Sequence, residues 1–189
     1  MVYSESEIVH ALEAGNEICL NMLFDNYYRS LCVYAFRFVS DGDDVEDIVQ
    51  EVFVSFWMNK KRTVFSGSIR SYLFGAVAKA ASKFATRRGK IKFDDVEKYV
   101  DQFLEELGEY DENEFARLRD KVYARVEALP GKTKEIFKLV VLDNMTYQQV
   151  GERFGITVNT VKTMYYRALK QLKEELGGNA LVLFFIIRR

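Results

Sequence analysis

Apolar side chains recur at helical spacing along residues 41–92, and this pattern constrains the fold more than any other feature of the chain. In the first half they stand at i, i+3, i+4 and i+7, which lines up one face of an α-helix. Those positions are Val45, Ile48, Val49, Val52, Phe53, Phe56 and Trp57. The second half repeats the pattern with Ile69, Tyr72, Leu73, Ala76, Val77, Ala80, Ala81 and Phe84. We therefore predict two consecutive helices that bury these stripes.

The sign of charge changes between the two predicted helices. Residues 41–51 hold six acids and no base, whereas residues 60–92 hold ten bases and no acid. The whole chain of 189 residues has a net charge of only −1, so its charges are segregated rather than sparse. Segregation of this kind predicts two surfaces that suit two different partners.

The outer face of the acidic helix combines acids with apolar side chains. Its members are Asp47, Gln50, Glu51, Val54 and Met58. One interpretation is a solvated helix back, because singly exposed apolar residues are common. The other is a docking face for a basic protein partner.

The basic helix has features that suit single-stranded nucleic acid. Its flank carries Lys79, Ser82, Lys83 and Thr86, followed by Arg87, Arg88, Lys90 and Lys92. A strip of small residues, Ser71, Gly75, Ala78 and Ser82, would let a phosphate backbone come close. Residues 65–68 form a predicted turn with an aromatic ring, Phe65, beside hydroxyls. Cations follow phosphates and rings stack on unpaired bases, although a solvated cationic face is the alternative.

Helical spacing extends over the rest of the chain, which predicts an all-α fold. The sequence has one proline and no strong alternation of apolar and polar residues. Ser4 followed by Glu7 predicts a capping box that opens a short helix through Ala14. A longer helix is expected at about residues 17–39. Its predicted inner side chains are Leu20, Leu23, Phe24, Tyr27, Leu31, Tyr34, Ala35 and Phe38.

A shift in composition after residue 92 divides the chain into two domains. Residues 94–114 hold ten acids, opposed only by Lys98, which indicates a linker. We predict a helical bundle at 1–92, an acidic linker at 93–113, a second helical domain at 114–178 and an apolar tail at 179–189. The linker is either a solubilising spacer or a nucleic-acid mimic that lies across a basic surface of the free protein.

The second domain contains the strongest motif of the chain, a helix-turn-helix. Its first helix begins with a capping box at Thr146, Gly155 makes the turn, and Thr157 caps a helix to about Leu176. Thr133 is predicted to cap the helix that precedes the motif.

The last helix of this motif has an outer face that suits duplex DNA. In such motifs its first part enters the major groove, where Asn, Thr and Lys reach base edges and later cations meet phosphates. The predicted contacts are Thr157, Asn159, Thr160, Lys162, Thr163, Tyr166, Arg167 and Lys170. Val158, Val161, Met164, Tyr165, Ala168, Leu169 and Leu172 are predicted to be buried. A purely structural helical hairpin is the alternative.

Four blocks of the sequence, in this order, resemble the extracytoplasmic-function group of bacterial sigma factors in the sigma-70 family. They are FDNYYRSLCVYAFRFV, DDVEDIVQEVFVSFW, FSGSIRSYLFGAVAKAASKFATRR, and ALPGKTKEIFKLVVLDNMTYQQVGERFGITVNTVKTMYYRALKQLKEEL. Four colinear matches are more specific than any one of them. The resemblance implies a promoter-specificity subunit of RNA polymerase, with sigma region 2 in the first domain and region 4 in the second.

The resemblance also implies a partner for each surface. Asp47, Gln50, Glu51 and Val54, with Met58 beside them, would bind the clamp helices of the largest core-polymerase subunit. Residues 65–72 match the loop that captures a flipped base of the minus-ten element. The residues expected to hold melted promoter DNA are Phe65, Ser66, Gly67, Ser68, Arg70, Tyr72, Lys79, Lys83, Arg87 and Arg88. Residues 159–170 would read the minus-thirty-five element as duplex.

The sequence departs from the family pattern in three places. Lys79 and Lys83 stand where an Asn and an Asp are common, and Met164 stands where many members carry Arg, so the preferred promoter sequences do not follow from the resemblance. The apolar run at 180–187 lies beyond the family's usual end. We expect it to pack as a terminal segment, and a contact with an anti-sigma factor or a self-inhibitory contact is the alternative.

Other functions are disfavoured. A nucleic-acid enzyme is not expected, because His10 is the only histidine and is expected to be exposed, and no nucleophile stands with a base. No cofactor or metal is expected either. The alternative is a stand-alone helix-turn-helix transcriptional regulator with an N-terminal interaction domain. Such a regulator does not need the single-strand surface at residues 65–92.

The expected location is the cytoplasm. Cys19 and Cys32 are predicted to be reduced core residues, because they fit neither a disulfide framework nor a metal-ligand pattern. The chain does not open with a basic and then apolar signal segment. The apolar run at 180–187 is too short to span a bilayer, so membrane insertion is not expected.

Overall fold

The computed structural model describes residues 3–59, 68–87 and 112–177, and every regular element within these ranges is an α-helix. The helices are α1 (Glu5–Glu13), α2 (Ile18–Ala35), α3 (Gly42–Asn59), α4 (Ile69–Arg87), α5 (Glu112–Glu127), α6 (Gly131–Val141), α7 (Tyr147–Phe154) and α8 (Val158–Leu176). They form two compact units, α1–α4 and α5–α8. The prediction of an all-α chain with two helical domains is confirmed.

The exact domain boundaries stay a prediction. The predicted linker at 93–113 overlaps the first residues of α5, and its other residues lie outside the described ranges. The predicted tail at 179–189 also lies outside them. None of the described helices is long and apolar enough to cross a membrane.

The first unit is a bundle in which α2, α3 and α4 pack on one another and α1 packs on α2. Both apolar stripes of residues 41–92 supply its core, as predicted, and Phe56 and Phe74 are among its largest fully buried side chains. The ring of Phe74 meets Tyr34 of α2 edge to face, with centroids 5.1 Å apart. Burial raises the pKa of Tyr34 to about 12. Cys19 and Cys32 are buried free thiols, as predicted.

Helix α2 ends at Ala35, four residues before the predicted end. After Ala35 the backbone tightens, since the amides of Arg37 and Phe38 donate to carbonyls three residues back at 3.1 and 2.9 Å. This tighter turn lets Phe36 and Val39 both point into the core. The carboxylate of Asp41 then accepts the amides of Asp43 and Asp44 at 3.0 and 3.2 Å, which caps the start of α3.

The predicted capping box of α1 is confirmed. The Glu7 amide donates to Ser4 Oγ at 3.2 Å, and the Ser4 amide donates to Glu7 Oε2 at 2.7 Å. The hydrogen bond from the Ser4 backbone lowers the pKa of Glu7. Gly15 then adopts a φ of +67°, a left-handed conformation that ends helices.

The second unit is built around α8, which packs on α5, α6 and α7. Phe137 of α6 stacks on Tyr165 of α8 with centroids 5.8 Å apart. The predicted cap of α6 at Thr133 is wrong, because the helix begins at Gly131 after Pro130 and has no side-chain cap. Pro130 has a φ of −54°, and its carbonyl accepts the Lys134 amide at 2.8 Å. The proline ring therefore presets the helix entry that a hydroxyl cap would otherwise provide.

The turn between α7 and α8 has the predicted chemistry. Thr146 and Gln149 form the capping box of α7, Gly155 adopts a φ of +62°, and Thr157 Oγ1 accepts the Thr160 amide at 3.2 Å. Gly151, in the middle of α7, has a role that the sequence did not reveal. A Cβ built on it would lie 2.8 Å from the backbone oxygen of Ile156, so the turn folds back tightly onto α7.

We expect Gly151→Ala to destabilise the second unit by roughly 1–3 kcal/mol, because the new methyl group meets a backbone atom that cannot yield cheaply. Native-state hydrogen exchange of the amides of α7 and α8 would measure the loss. The matched control is Gly75→Ala in the middle of α4, where a Cβ meets nothing within 4 Å. That control should be neutral or stabilising by up to about 1 kcal/mol, and equal protection of α7 and α8 in both variants would contradict the close-approach explanation.

Candidate functional site

Helix α3 exposes all five side chains of its predicted outer face, which we name the docking face: Asp47, Gln50, Glu51, Val54 and Met58. Val54 is 62% exposed and Met58 is 78% exposed. Two exposed apolar side chains on one helix face, next to two carboxylates, fit the centre and rim of a protein interface better than a solvated helix back.

The docking face continues onto α2 through aromatic side chains. Phe24, predicted to be internal, is 43% exposed, and its ring stacks on Tyr28 at 4.1 Å. Both rings cover Phe53 of α3. The Tyr28 hydroxyl lies within hydrogen-bonding reach of the Gln50 side chain, and burial raises its pKa. Phe24 and Tyr28 are one helical turn apart, and this spacing could have revealed the pair in the sequence.

One acid of α3 does not contribute to the docking face. Glu46 belongs to the six acids counted in the sequence, but its side chain is buried, with 6% exposed. It faces α2, where its charge helps to raise the pKa of Tyr28. The accessible acidic surface is therefore narrower than composition alone predicts.

Helix α4 places part of the predicted melted-strand set on one exposed face. At about 100° per residue, Tyr72, Lys79 and Lys83 fall within about 40° of one another and Arg87 about 40° further round. All four are exposed. Tyr72, predicted to be part of the buried stripe, is 36% exposed with its ring 5.7 Å from Phe56. Arg70 is exposed too, but it lies on the opposite side of the helix.

The predicted strip of small residues is wrong as a surface for phosphates. Ala78 and Ser82 are fully buried, because they share the side of α4 that packs on α2 and α3. The Ser82 hydroxyl finds no hydrogen-bond partner within the described ranges. Only Ser71 and Gly75 of this strip keep partial exposure.

Several predicted contacts of the melted-strand set cannot be placed. Phe65, Ser66, Gly67 and Arg88 lie outside the described residues. Ser68 is described, and its hydroxyl caps α4 by accepting the Ser71 amide at 3.1 Å.

Helix α8 brings most of the predicted duplex contacts onto one face. By helical register, Asn159, Thr160, Thr163, Arg167 and Lys170 fall within about 100°, and all of them are exposed. Thr157 is exposed at the cap that precedes them. Lys162 is half-buried, with its ammonium 5.9 Å from the centre of the Tyr147 ring.

Two residues of α8 contradict the predicted division into inner and outer faces. Tyr166 was predicted to contact DNA, but it is only 8% exposed. It flanks the apolar side of α8, where its ring meets Tyr165 edge to face at 5.2 Å. Val158 was predicted to be buried and is 40% exposed, because it lies at the first position of the helix, beyond the end of the packed core. Met164, also predicted to be buried, is half-buried.

Within the described ranges, no cluster of three or more His, Cys, Asp or Glu side chains could hold a metal ion. The chemistry available to the described surfaces is that of charged and aromatic recognition.

Two family descriptions match this chain, and both belong to the sigma-70 family. Sigma-70 region 2 matches residues 23–91, and sigma-70 region 4 matches residues 119–172. The first match covers most of α2 to α4, and the second runs from α5 into α8. Each therefore falls on one of the two helical units, in the order that the sequence resemblance predicted.

Curated proteins of similar length and the same class align with nearly the whole chain. The RNA polymerase sigma factor SigV of Bacillus subtilis is 27% identical over 158 residues, 84% of this chain and 89% of its own length. The ECF RNA polymerase sigma-E factor of Haemophilus influenzae is 22% identical over 182 residues, 92% of this chain and 95% of its own. The RNA polymerase sigma-H factor of Pseudomonas aeruginosa is 22% identical over 180 residues, 91% of this chain and 93% of its own.

These similarities favour a sigma factor over a stand-alone helix-turn-helix regulator. A regulator accounts for the second unit but not for the region 2 match that spans the acidic and basic helices. With regions 2 and 4 both present in order, and relatives of the same class aligned along most of its length, this chain belongs to the extracytoplasmic-function group of the sigma-70 family and acts as an RNA polymerase sigma factor.

Proposed function

We propose that this sigma factor divides its work among three surfaces. The docking face of α3 holds core polymerase, the exposed cationic face of α4 holds melted minus-ten DNA, and the outer face of α8 reads the minus-thirty-five duplex. The observation that carries the proposal is the opposite charge of α3 and α4, two helices that pack directly on each other. Such a unit can bind a protein on one side and a polyanion on another.

The proposed partner of the docking face is the pair of clamp helices of the largest core subunit. Asp47 and Glu51 supply charge for basic side chains, whereas Val54 and Met58 supply apolar area at the end of the same face. We add Phe24 and Tyr28 to this contact, since their stacked rings are continuous with the face through Gln50. Aromatic rings with little freedom to move are typical anchors of protein interfaces.

Reversing two charges of the docking face tests this partner. We expect Asp47→Lys with Glu51→Lys to weaken binding to purified core polymerase about a hundredfold or more, because like charges facing each other across an interface cost several kcal/mol. Binding is measured by titration against fluorescently labelled core, and folding by circular dichroism.

The control for this experiment is Glu13→Lys with Glu17→Lys, which makes the same charge change at exposed positions of the same unit. It should bind core like the wild type. Full affinity in the Asp47 and Glu51 variant would reject the docking face. Wild-type protein that does not bind core at all would favour the regulator hypothesis.

The proposed strand contact on α4 combines a ring with cations. Tyr72 offers a partly exposed ring for stacking, and Lys79, Lys83 and Arg87 follow on the same side of the helix over about four turns. Single-stranded DNA needs both elements, because rings stack on bases while cations follow phosphates. Phe65, Ser66, Gly67 and Arg88 are proposed members of the same contact on the resemblance alone.

Removing two cations should change the salt dependence of strand binding in a countable way. For Lys83→Ala with Arg87→Ala, the slope of log affinity against log salt should fall by about 1.4, or about 0.7 for each single-strand phosphate that is no longer neutralised. Holoenzyme is titrated with a single-stranded minus-ten oligonucleotide at several salt concentrations. Arg117→Ala with Lys121→Ala on α5 removes the same charge elsewhere and should leave the slope unchanged. An unaltered slope in the first variant would count against α4.

The proposed duplex contact uses the first turns of α8 for bases and the later turns for phosphates. Asn159, Thr160 and Thr163 can reach base edges, and Arg167 and Lys170 lie further along the same face. We add Val158, whose exposed methyl groups could contact a thymine methyl in the major groove. Tyr166 is left out because it is buried.

Base readout and phosphate contact can be separated by substitution. Asn159→Ala should reduce discrimination at one base pair of the minus-thirty-five element by about 1–3 kcal/mol while other positions keep their preference. Lys170→Ala should weaken binding about equally on all sequences. Competition of holoenzyme with a library of minus-thirty-five variants measures both. If the two variants produce the same preference profile, α8 does not read bases through Asn159.

The remaining features of the proposal are absences and regulation. We propose that the chain has no catalytic activity of its own, that it works beside core polymerase in the cytoplasm, and that an anti-sigma factor is a candidate for controlling it. These points rest on the class to which the chain belongs.

A further inference from the structure

Helix α1 contacts the start of α4 through one carboxylate. Glu5 Oε1 accepts the backbone amide of Ile69 at 2.6 Å. The two residues are 64 positions apart in the sequence, so the bond joins the first helix of the unit to the last. The bond is partly buried and carries a full negative charge on its acceptor, which makes it one of the stronger kinds of hydrogen bond.

The amide of Ile69 has no partner within its own helix, because it is the first amide of α4. The neighbouring amides are satisfied locally, since Ser71 donates to Ser68 Oγ at 3.1 Å and Tyr72 donates to the Ser68 carbonyl at 3.1 Å. Glu5 therefore completes a cap that Ser68 provides only in part. Its charge also opposes the positive end of the helix dipole.

Helix α1 is itself held firmly, so Glu5 is a fixed reference point rather than a mobile side chain. The Asn26 side chain of α2 pairs with the backbone of Tyr3 in both directions, accepting its amide at 3.1 Å and donating to its carbonyl at 2.6 Å. Asn26 is only 3% exposed, and Ile8 of α1 is fully buried. The order of contacts thus runs from α2 to α1 and from α1 to the start of α4.

We infer that Glu5 is a positioning residue for capture of melted DNA. It fixes the first turn of α4, and with it the partly exposed ring of Tyr72, which lies three residues after Ile69. The inference rests on the proposed function of α4 as the strand-binding helix. Glu5 does not itself touch DNA; its carboxylate keeps the Ile69 amide occupied.

Occupation of this amide has a second consequence. A free amide at a helix N-terminus attracts phosphate, and a strand held there would be bound without regard to its bases. Glu5 repels phosphate from the start of α4 and leaves it to the cations further along. Removing the carboxylate should therefore reduce promoter opening without reducing unspecific affinity for single strands.

The test compares Glu5→Ala and Glu5→Gln with Glu13→Ala, which removes one exposed carboxylate from the other end of the same helix. Holoenzyme made with each variant transcribes a promoter mapped for the wild-type protein, either as duplex or with its minus-ten segment already unpaired. On duplex, Glu5→Ala should lose about tenfold in initiation, which corresponds to roughly 1.4 kcal/mol. Glu5→Gln should lose less, because its amide oxygen still accepts the Ile69 amide.

On the unpaired template, Glu5→Ala should return to within about twofold of wild type, because capture no longer has to offset the cost of extruding a base. Core binding and affinity for an unrelated single strand should not fall. Equal losses on both templates in Glu5→Ala and Glu5→Gln would show a merely structural role and overturn the inference, as would Glu5→Ala matching Glu13→Ala on duplex. Wild-type holoenzyme inactive on both templates would instead overturn the proposed function.

Discussion

Burial of the apolar stripes of α2, α3 and α4 against one another is the interaction on which both proposed surfaces of the first unit depend. Because each helix commits one side to this shared core, its charged residues are forced to the other side. Acids of α3 and bases of α4 therefore end up on separate outer faces of a single bundle, a few helical radii apart. If the stripes did not pack, the same charges would approach and neutralise one another in a flexible chain.

Polar contacts then adjust this arrangement at helix ends, where backbone groups lack partners. Asp41 caps α3 from the preceding residue, Ser68 caps α4 in part, and Glu5 completes that cap from another helix. The first two are local and depend on neighbours in sequence. The third exists only because Asn26 holds the segment before α1 in place. Local caps start the helices, whereas the long-range cap fixes where one of them begins in space.

The second unit solves a different problem, since it presents one helix to solvent on a rigid support. The close approach of Gly151 to Ile156 and the left-handed Gly155 set the turn before α8. The stack of Phe137 on Tyr165 holds the opposite side of α8 in the core. A side chain one step round the helix, such as Tyr166, is drawn into that core because a large ring gains more from burial than from solvent. This is why the reading face is narrower than its helical pattern predicted.

The sequence by itself determined the helical class, the two-unit division, the capping boxes at Ser4 and Thr146, the turn at Gly155 and the outward position of the docking face, because each follows from local spacing or turn chemistry. Tertiary structure alone decided the burial of Glu46, Ala78, Ser82 and Tyr166, the exposure of Phe24 and Val158, and the bond between Glu5 and Ile69. Helical period places a side chain on a face, but only the neighbouring helices determine how far the cover over that face extends. Residues at the border of a stripe or beyond the end of the core therefore could not be assigned from the pattern.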